Sequence, residues 1–437
     1  MSHYKPYPDY KDSGVEWLGK VPEHWDIRSV KTLARLDGGA GFPDDEQGQS
    51  DNPIPFFKVA ELANGLRYTA NTVTEETAKR LGAKIFPPST LVFAKVGAAL
   101  LLNRRCLLEM PACLDNNMMA LLPGAFDSQW LFWVFCTLDM GLIANPGAVP
   151  SINQEQVGNI RLGVPTIAEQ KCIAQSLRRE TARIDALIEK KTRFIELLNE
   201  KRQALITHAV TKGLDPNVNM KDSSVEWLGE VPGHWEVRSV SSVSTKITNG
   251  YVGPTRDILV EEGVRYLQSL HIKGNQIKFD FPYFVTEEWS NQHRKSILET
   301  GDVLIVQTGD IGQVTVVTDE FAGCNCHALI IVAPERSIIA GEWMSWVFNS
   351  SYGYHTLLSI QTGAMHPHLN CGNVKDVFLP VPPLTEQREI MKHIEHEERR
   401  VAALVGKTER SIELLKERRS ALITAAVTGQ IDLREAV

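Results

Sequence analysis

The chain carries most of its own plan twice, and that duplication limits its fold more than any other feature. Asp12-Ser-Gly-Val-Glu-Trp17-Leu-Gly-Lys-Val-Pro22-Glu-His-Trp25 returns 210 positions later as Asp222-Ser-Ser-Val-Glu-Trp227-Leu-Gly-Glu-Val-Pro232-Gly-His-Trp235. A second block, Val164-Pro-Thr-Ile-Ala-Glu169-Gln170 and the stretch running on to Thr211, returns 217 positions later, from Val381 through Glu386-Gln387 to Thr428. Between these blocks, residues 35–163 and 245–380 resemble each other only faintly. A repeated frame around two diverged fillings describes a pseudo-symmetric scaffold that presents two different surfaces, because internal repetition reports architecture first.

The second block is helical. Leu177, Ile184, Leu198 and Leu205 fall on a seven-residue step with Lys191 at the remaining position, and Leu187 and Phe194 supply a second seam. The later copy repeats the step with Ile394, Val401, Leu415 and Leu422, with Thr408 in the middle and Ile390 and Leu404 alongside. Sustained heptads flanked by charges predict coiled-coil helices, and each is the natural mate of the other. Thr166-x-x-Glu169 has the form of a capping box, Pro383 stands at the matching start, and Gly213 and Gly429 follow the periodic stretches where helices stop. Each helix would span about 45 residues, roughly 65 to 70 Å at about 1.5 Å per residue. A twofold-like arrangement makes them antiparallel and turns them into a ruler between the two variable domains. A plain helical hairpin inside a larger core is the alternative. A polar residue at the same interior heptad position in both copies favours the coiled coil, since such residues fix register.

The variable stretches read as mixed α/β. Pro55–Ala60, Thr90–Lys95 and Met118–Pro123 in the first, and Val264–Ser269, Asp302–Gln307 and Ala328–Pro334 in the second, are short strand-like runs. Each is followed by an aromatic helical segment, Trp130–Phe135 and Trp343–Phe348, and then by a matching loop, Gly147–Asn153 and Gly363–Asn370.

The Val-Glu-Trp-Leu-Gly-x-Val-Pro-x-His-Trp opening, the Gly-Asp-Val-Leu-Ile-Val-Gln-Thr-Gly-Asp-Ile-Gly run at 301–312, the Val-Pro-Pro-Leu-Thr-Glu-Gln helix start and the doubled layout together resemble the specificity subunit of type I restriction-modification systems. The resemblance covers nearly the whole chain. It implies an α+β architecture in four parts: a target recognition domain at 1–163, a spacer helix at 164–213, a second recognition domain at 214–380, and a second spacer helix with tail at 381–437. It further implies that each domain reads one half of an asymmetric bipartite site in double-stranded DNA, while the helices set the gap and dock two methyltransferase subunits. The chain would direct an adenine-N6 DNA methyltransferase and, where present, an ATP-dependent endonuclease of restriction subunits. S-adenosylmethionine, ATP and magnesium would sit on those partners, and the setting would be a bacterial or archaeal cytoplasm. The first copy departs from the pattern, with Ala94-Lys95-Val96-Gly97-Ala98 in place of the polar loop at 307–312.

Base readout calls for Arg, Lys, Asn and Gln on exposed loops. Lys58, Lys95, Arg104, Arg105, Asn116 and Asn117 are the candidates in the first domain, and Gln268, Lys273, Lys278, Arg294, Gln307 and Thr308 in the second. The formal charge of −7 argues against an autonomous charge-driven DNA binder. It favours either local basic patches with a more positive partner or a second reading, a protein-interaction scaffold of two α/β modules on a coiled coil. Length predicts two to four domains, seven cysteines without framework spacing suit a reducing compartment, and neither a signal segment nor an apolar span of 18 residues is present in the 437-residue sequence.

Catalytic chemistry is not expected. Asn52-Pro-Ile-Pro-Phe56 is only an echo of a base-holding methyltransferase motif, and Gly406-Lys407-Thr408 lies inside the heptads without the glycine a phosphate loop needs. Cys324, Cys326 and His327, like His366, His368 and Cys371, lack a recognised zinc spacing, so no metal is assigned.

Overall fold

The computed structural model describes residues 4–363 and 365–434. The chain divides into two compact units, Met1–Lys191 with Arg410–Val437, and Thr192–Glu409. The division cuts both long helices, so each unit holds one α/β body, the start of one helix and the end of the other.

Those helices are Ile167–Lys212 and Leu384–Val427. Pro165 and Pro383 stand just before them, and each is ended by a left-handed glycine, Gly213 at φ 75° and Gly429 at φ 74°. Only glycine reaches that conformation cheaply. Within each unit the two helical segments run antiparallel. Arg419 donates to Asp185 at 2.8 Å in the first unit, and Arg202 donates to Glu398 at 2.7 Å in the second.

The seven-residue seam lies inside the packing. Leu177, Ile184, Leu198, Ile394, Val401 and Leu422 are buried, as is Thr408, while Leu205 and Leu415 are half-buried. Of the other seam Ile390 is buried as expected, but Leu187, Phe194 and Leu404 face solvent. Their next neighbours Ile188, Ile195 and Val405 turn inward instead, continuing a row of Thr181 and Arg202 on one helix and Glu398, Ile412 and Arg419 on the other. The second seam therefore sits four residues after the first, not three.

The α/β bodies share one plan. A four-stranded antiparallel sheet has the spatial order Leu36–Gly38, Met118–Leu121, Leu91–Ala94, Arg105–Leu107 in the first unit. In the second the order is Ser244–Asn249, Leu329–Pro334, Val303–Val306, Val314–Val316. The central strands are buried at nearly every position, which explains their continuous apolar runs in place of alternation. The aromatic helices Ser128–Cys136 and Gly341–Asn349 cover these sheets with Trp130, Trp133 and Phe135, and with Trp343, Val347 and Phe348. A smaller sheet in each body contains one parallel pair, Ile54–Phe57 beside Cys113–Leu114 and Val264–Leu267 beside Asn325–Cys326. The chain leaves each body on a strand paired with the one on which it came in, Arg161–Val164 with Asp26–Ser29 and Phe378–Val381 with Glu236–Ser239.

The two repeated sequence blocks hold each other. Trp25 is fully buried, which contributes about 4 to 6 kcal/mol of gross apolar burial but leaves an indole N–H in need of an acceptor. Glu169 supplies it, accepting from Trp25 Nε1 at 3.1 Å, from Tyr7 Oη at 2.6 Å and facing His24 Nε2 at 2.9 Å. In the second unit Glu386 accepts from Trp235 Nε1 at 3.0 Å and faces His234 Nε2 at 2.7 Å, with no tyrosine recorded on it. The capping box is accordingly half formed, for Thr166 Oγ1 accepts from Glu169 N at 3.4 Å while the Glu169 carboxylate is taken up by the clamp. Each neighbouring glutamine ties the aromatic helix to the same point: Gln170 accepts from Asp127 N at 2.8 Å and Gln387 from Ala340 N at 2.9 Å.

Candidate nucleic-acid interface

In both bodies the parallel strand pair ends beside the loop that follows the central sheet strand, and this junction gathers most of the candidate side chains. In the first body the pair ends at Lys58 and Asp115, with Asp115 N donating to Phe57 O at 2.9 Å. Buried Asp115 accepts from Val59 N at 2.9 Å and Asn117 N at 3.0 Å, and Asn117 O in turn accepts from Lys95 N at 2.9 Å. One carboxylate therefore aligns Lys58, Asn116, Asn117 and Lys95 along a single edge. Arg104 joins them, its carbonyl accepting from Ala94 N at 3.2 Å. Lys58 donates to Gln47 Oε1 at 2.8 Å. Lys95 and Arg104 form no ion pair among the described residues.

Arg105 is placed differently from its neighbour. It is half-buried, donates to Asn103 Oδ1 at 2.8 Å and to Leu138 O at 3.0 Å, and burial lowers the pKa of its guanidinium. It braces Asn103, which holds a left-handed φ of 52°. Arg105 therefore does not stand on an exposed loop, because its strand pairs with Leu91–Ala94 and its guanidinium is taken up by Asn103 and Leu138.

The second body has the same junction with other chemistry. Its parallel pair ends at Gln268 and His327, with His327 N donating to Leu267 O at 2.8 Å. Position for position, Lys58 corresponds to Gln268, Asp115 to His327 and Lys95 to Gln307. Gln268 is fixed by fully buried His271, whose Nδ1 accepts from Gln268 N at 2.8 Å while Nε2 donates to Phe281 O at 2.8 Å. Burial lowers the pKa of His271 and of His327, so both rings are held neutral. Gln307 Oε1 is buried without a hydrogen-bond partner. Lys273, at the hairpin Ile272–Ile277, comes near because Gly274 N donates to Gln313 Oε1 at 3.3 Å, and Lys278 is exposed on the chain leaving that hairpin. Arg294 is exposed in a separate short helix beside Asn291, so it is not tied to this edge.

The loops that close the edges also correspond. Val96 bridges Ser151 in the first body and Thr308 bridges His368 in the second. Thr308, Asp310, Tyr354, Gln361, His366 and His368 line an open cleft. Of the motif at 363–370, Ala364 lies outside the described residues. Two side chains of the junction are missed by the sequence reading: Asp115 is not singled out, and His327 enters only as a rejected metal ligand. Their signal was position alone, directly after the short runs Cys113-Leu114 and Asn325-Cys326.

Among the described residues no group of three His, Cys, Asp or Glu side chains could hold a metal ion, and all seven cysteines are unpaired. No helix of the described residues is long and apolar enough to cross a membrane.

A duplicated frame that clamps two unlike polar edges defines a two-module recognition protein. The family described as "Type I restriction modification DNA specificity domain" matches residues 22–197 and again 232–414, and the chain belongs to it. Its function is DNA sequence recognition as a non-catalytic specificity subunit. The type I restriction enzyme EcoBI specificity subunit of Escherichia coli is 20% identical over 406 residues, covering 90% of this chain and 84% of that protein. The MjaIX specificity subunit of Methanocaldococcus jannaschii is 20% identical over 453 residues, covering 100% and 99%. Among solved structures, a chain from work on complex assembly and conformational transition of the type I R-M system aligns with TM-score 0.71 at 15% identity, covering 94% of this chain and 99% of that one. The HsdS subunit from Thermoanaerobacter tengcongensis aligns with TM-score 0.57 at 15% identity, covering 94% and 98%. These two likenesses speak for the fold.

Proposed function

We propose that residues 1–163 and 214–380 each read one half of an asymmetric, bipartite site in double-stranded DNA. The helical parts, 164–213 and 381–437, set the unread gap between the halves and dock two methyltransferase subunits. The observation that supports this reading is the paired junction: the same clamp and the same backbone bridges carry Lys58 and Lys95 in one body, Gln268 and Gln307 in the other. Lys58 would reach the acceptors of guanine, whereas Gln268 would match the donor and acceptor edge of adenine, so this equivalent pair calls for different bases. Lys95, Arg104, Lys273 and Lys278 are placed to meet phosphates, and such contacts set orientation without specifying sequence. The acidic total charge fits a reader whose affinity comes largely from more positive partners.

In this reading the chain directs an adenine-N6 methyltransferase and, where present, restriction subunits with ATP-dependent nuclease activity. S-adenosylmethionine, ATP and magnesium belong to those partners, in a bacterial or archaeal cytoplasm. Exchanging residues 35–163 for the corresponding segment of another specificity subunit tests modular reading. One half of the methylated motif should change and the other half and the gap should stay. A change in both halves would sink the assignment of one domain to one half-site.

A further inference from the structure

The two loops that close the edges differ in the side chains they expose. The second body has a cleft of mixed lining, with Ile311, Leu358 and Pro367 beside Thr308, Asp310 and Gln361, and Met365 is 88% exposed in its loop, whereas the first has Leu101, Leu102, Leu142 and Val149, at 54%, 63%, 84% and 64% exposure. The segments that carry them are neighbours, and together they make one apolar surface. Leu101 Cδ2 lies 3.3 Å from where a Cβ on Gly141 would stand, next to Leu142, and Val149 Cγ1 lies 4.0 Å from the same point on Gly97. Four large aliphatic side chains this exposed and this close together mark an interaction surface rather than scattered surface residues.

We propose that the first recognition domain reads its half-site partly through this apolar patch, by packing Leu101, Leu102, Leu142 and Val149 against thymine methyl groups in the major groove. The inference rests on the DNA-reading function proposed above. Three observations favour DNA over a protein partner. The patch lies at the loops that correspond to the second body's cleft, held by the equivalent bridge of Val96 to Ser151. It is continuous with Lys95, whose carbonyl accepts from Ile152 N at 2.9 Å, and with Arg104, whose amide donates to Ala99 O at 3.1 Å. Both cations are without an ion pair among the described residues and lie where flanking phosphates would need them. The Asp139 carboxylate beside the patch is engaged by Asn103 Nδ2 at 3.0 Å and Gly141 N at 2.9 Å. Aliphatic side chains carry no donor or acceptor, and the thymine methyl is the one apolar group on the base edges of the major groove. The first half-site must therefore contain an A·T pair beyond the one that holds the target adenine.

The test uses the assembled complex of this chain with its methyltransferase and a duplex bearing the mapped motif. Each thymine is replaced in turn by uracil, which lacks only the methyl group. At one or more positions of the first half-site, uracil should weaken binding by about three- to fivefold, the size expected for one buried methyl group. Leu142→Ser and Val149→Ser should weaken binding to the thymine duplex by a similar factor and erase the thymine preference there, while Leu142→Met keeps it. Unchanged melting temperatures show that these exposed substitutions leave the fold intact. The proposal is overturned if the first half-site has no additional A·T pair, or if uracil and the serine variants leave affinity unchanged. It is also overturned if the serine variants impair only assembly with the methyltransferase, which would make the patch a protein-docking surface. A wild-type complex with no bipartite protection at all would instead overturn the DNA-reading function itself.

Discussion

Replacing Glu169 by alanine should be far more damaging than the equivalent change at Glu386, although the two glutamates occupy the same place in the repeat. Glu169 accepts from two fully buried donors, Tyr7 Oη and Trp25 Nε1, whereas Glu386 accepts from one, Trp235 Nε1. A buried donor stripped of its acceptor costs about 1 to 3 kcal/mol. Glu169→Ala should therefore cost about 4 kcal/mol and Glu386→Ala about 2 kcal/mol, the exposed histidines adding little. For units of this size about 1 kcal/mol moves the melting temperature by roughly 2 to 4 °C, so drops of about 8 to 16 °C and 4 to 8 °C are expected. Calorimetry reads the drop and hydrogen exchange locates it. Glu169→Ala should loosen peptides around Tyr7 to Trp25, and Glu386→Ala those around Val231 to Trp235. Equal losses for the two variants, or loosening confined to the unmutated unit, would refute the reasoning.

Three further outcomes follow from the same frame. Gly429→Ala places a Cβ 2.3 Å from Pro22 Cδ at a φ of 74°, and should cost about 2 to 4 kcal/mol by urea unfolding. Gly213→Ala has its nearest neighbour, the Trp235 ring, at 3.3 Å and should cost about half as much. Tyr7 has its pKa raised by burial first, then by its hydrogen bond to and the charge of Glu169. Its contribution is intact below the unfolded value near about pH 10 and is lost as pH rises above it. Stability should thus fall more steeply above about pH 10 in the wild type than in Tyr7→Phe, and parallel alkaline curves would contradict this. Gln268→Ala in the assembled complex should relax base preference in one half-site only, with a discrimination loss of about 1 to 3 kcal/mol measured on single-base variants of the duplex.

Much of the architecture was legible because it rests on periodicity. Runs such as Val303–Val306 announce strands buried on both faces, and the seven-residue step through Leu177, Ile184 and Leu198 announces the helices. The second seam was not legible for a specific reason. Leu187 and Ile188, Phe194 and Ile195, Leu404 and Val405 are adjacent apolar pairs, so spacings of three and four both find a hydrophobic residue, and only packing selects the second member. The clamp was hidden by distance, since Trp25 and Glu169 are 144 residues apart. Its trace was the joint recurrence of His-Trp and Glu-Gln in both copies. Arg105 shows the limit of charge as a guide, because a guanidinium can serve a turn from inside just as it can serve a phosphate from outside.

The central claim is that one duplicated frame gives two unlike reading edges. The most direct measurement is to express the chain with its methyltransferase in a methylation-free host and map modified adenines across the genome. The account predicts a split, asymmetric motif whose two halves differ in sequence and are separated by a fixed unread gap. A single continuous motif, two identical halves, or no new methylation despite a stable complex would contradict it.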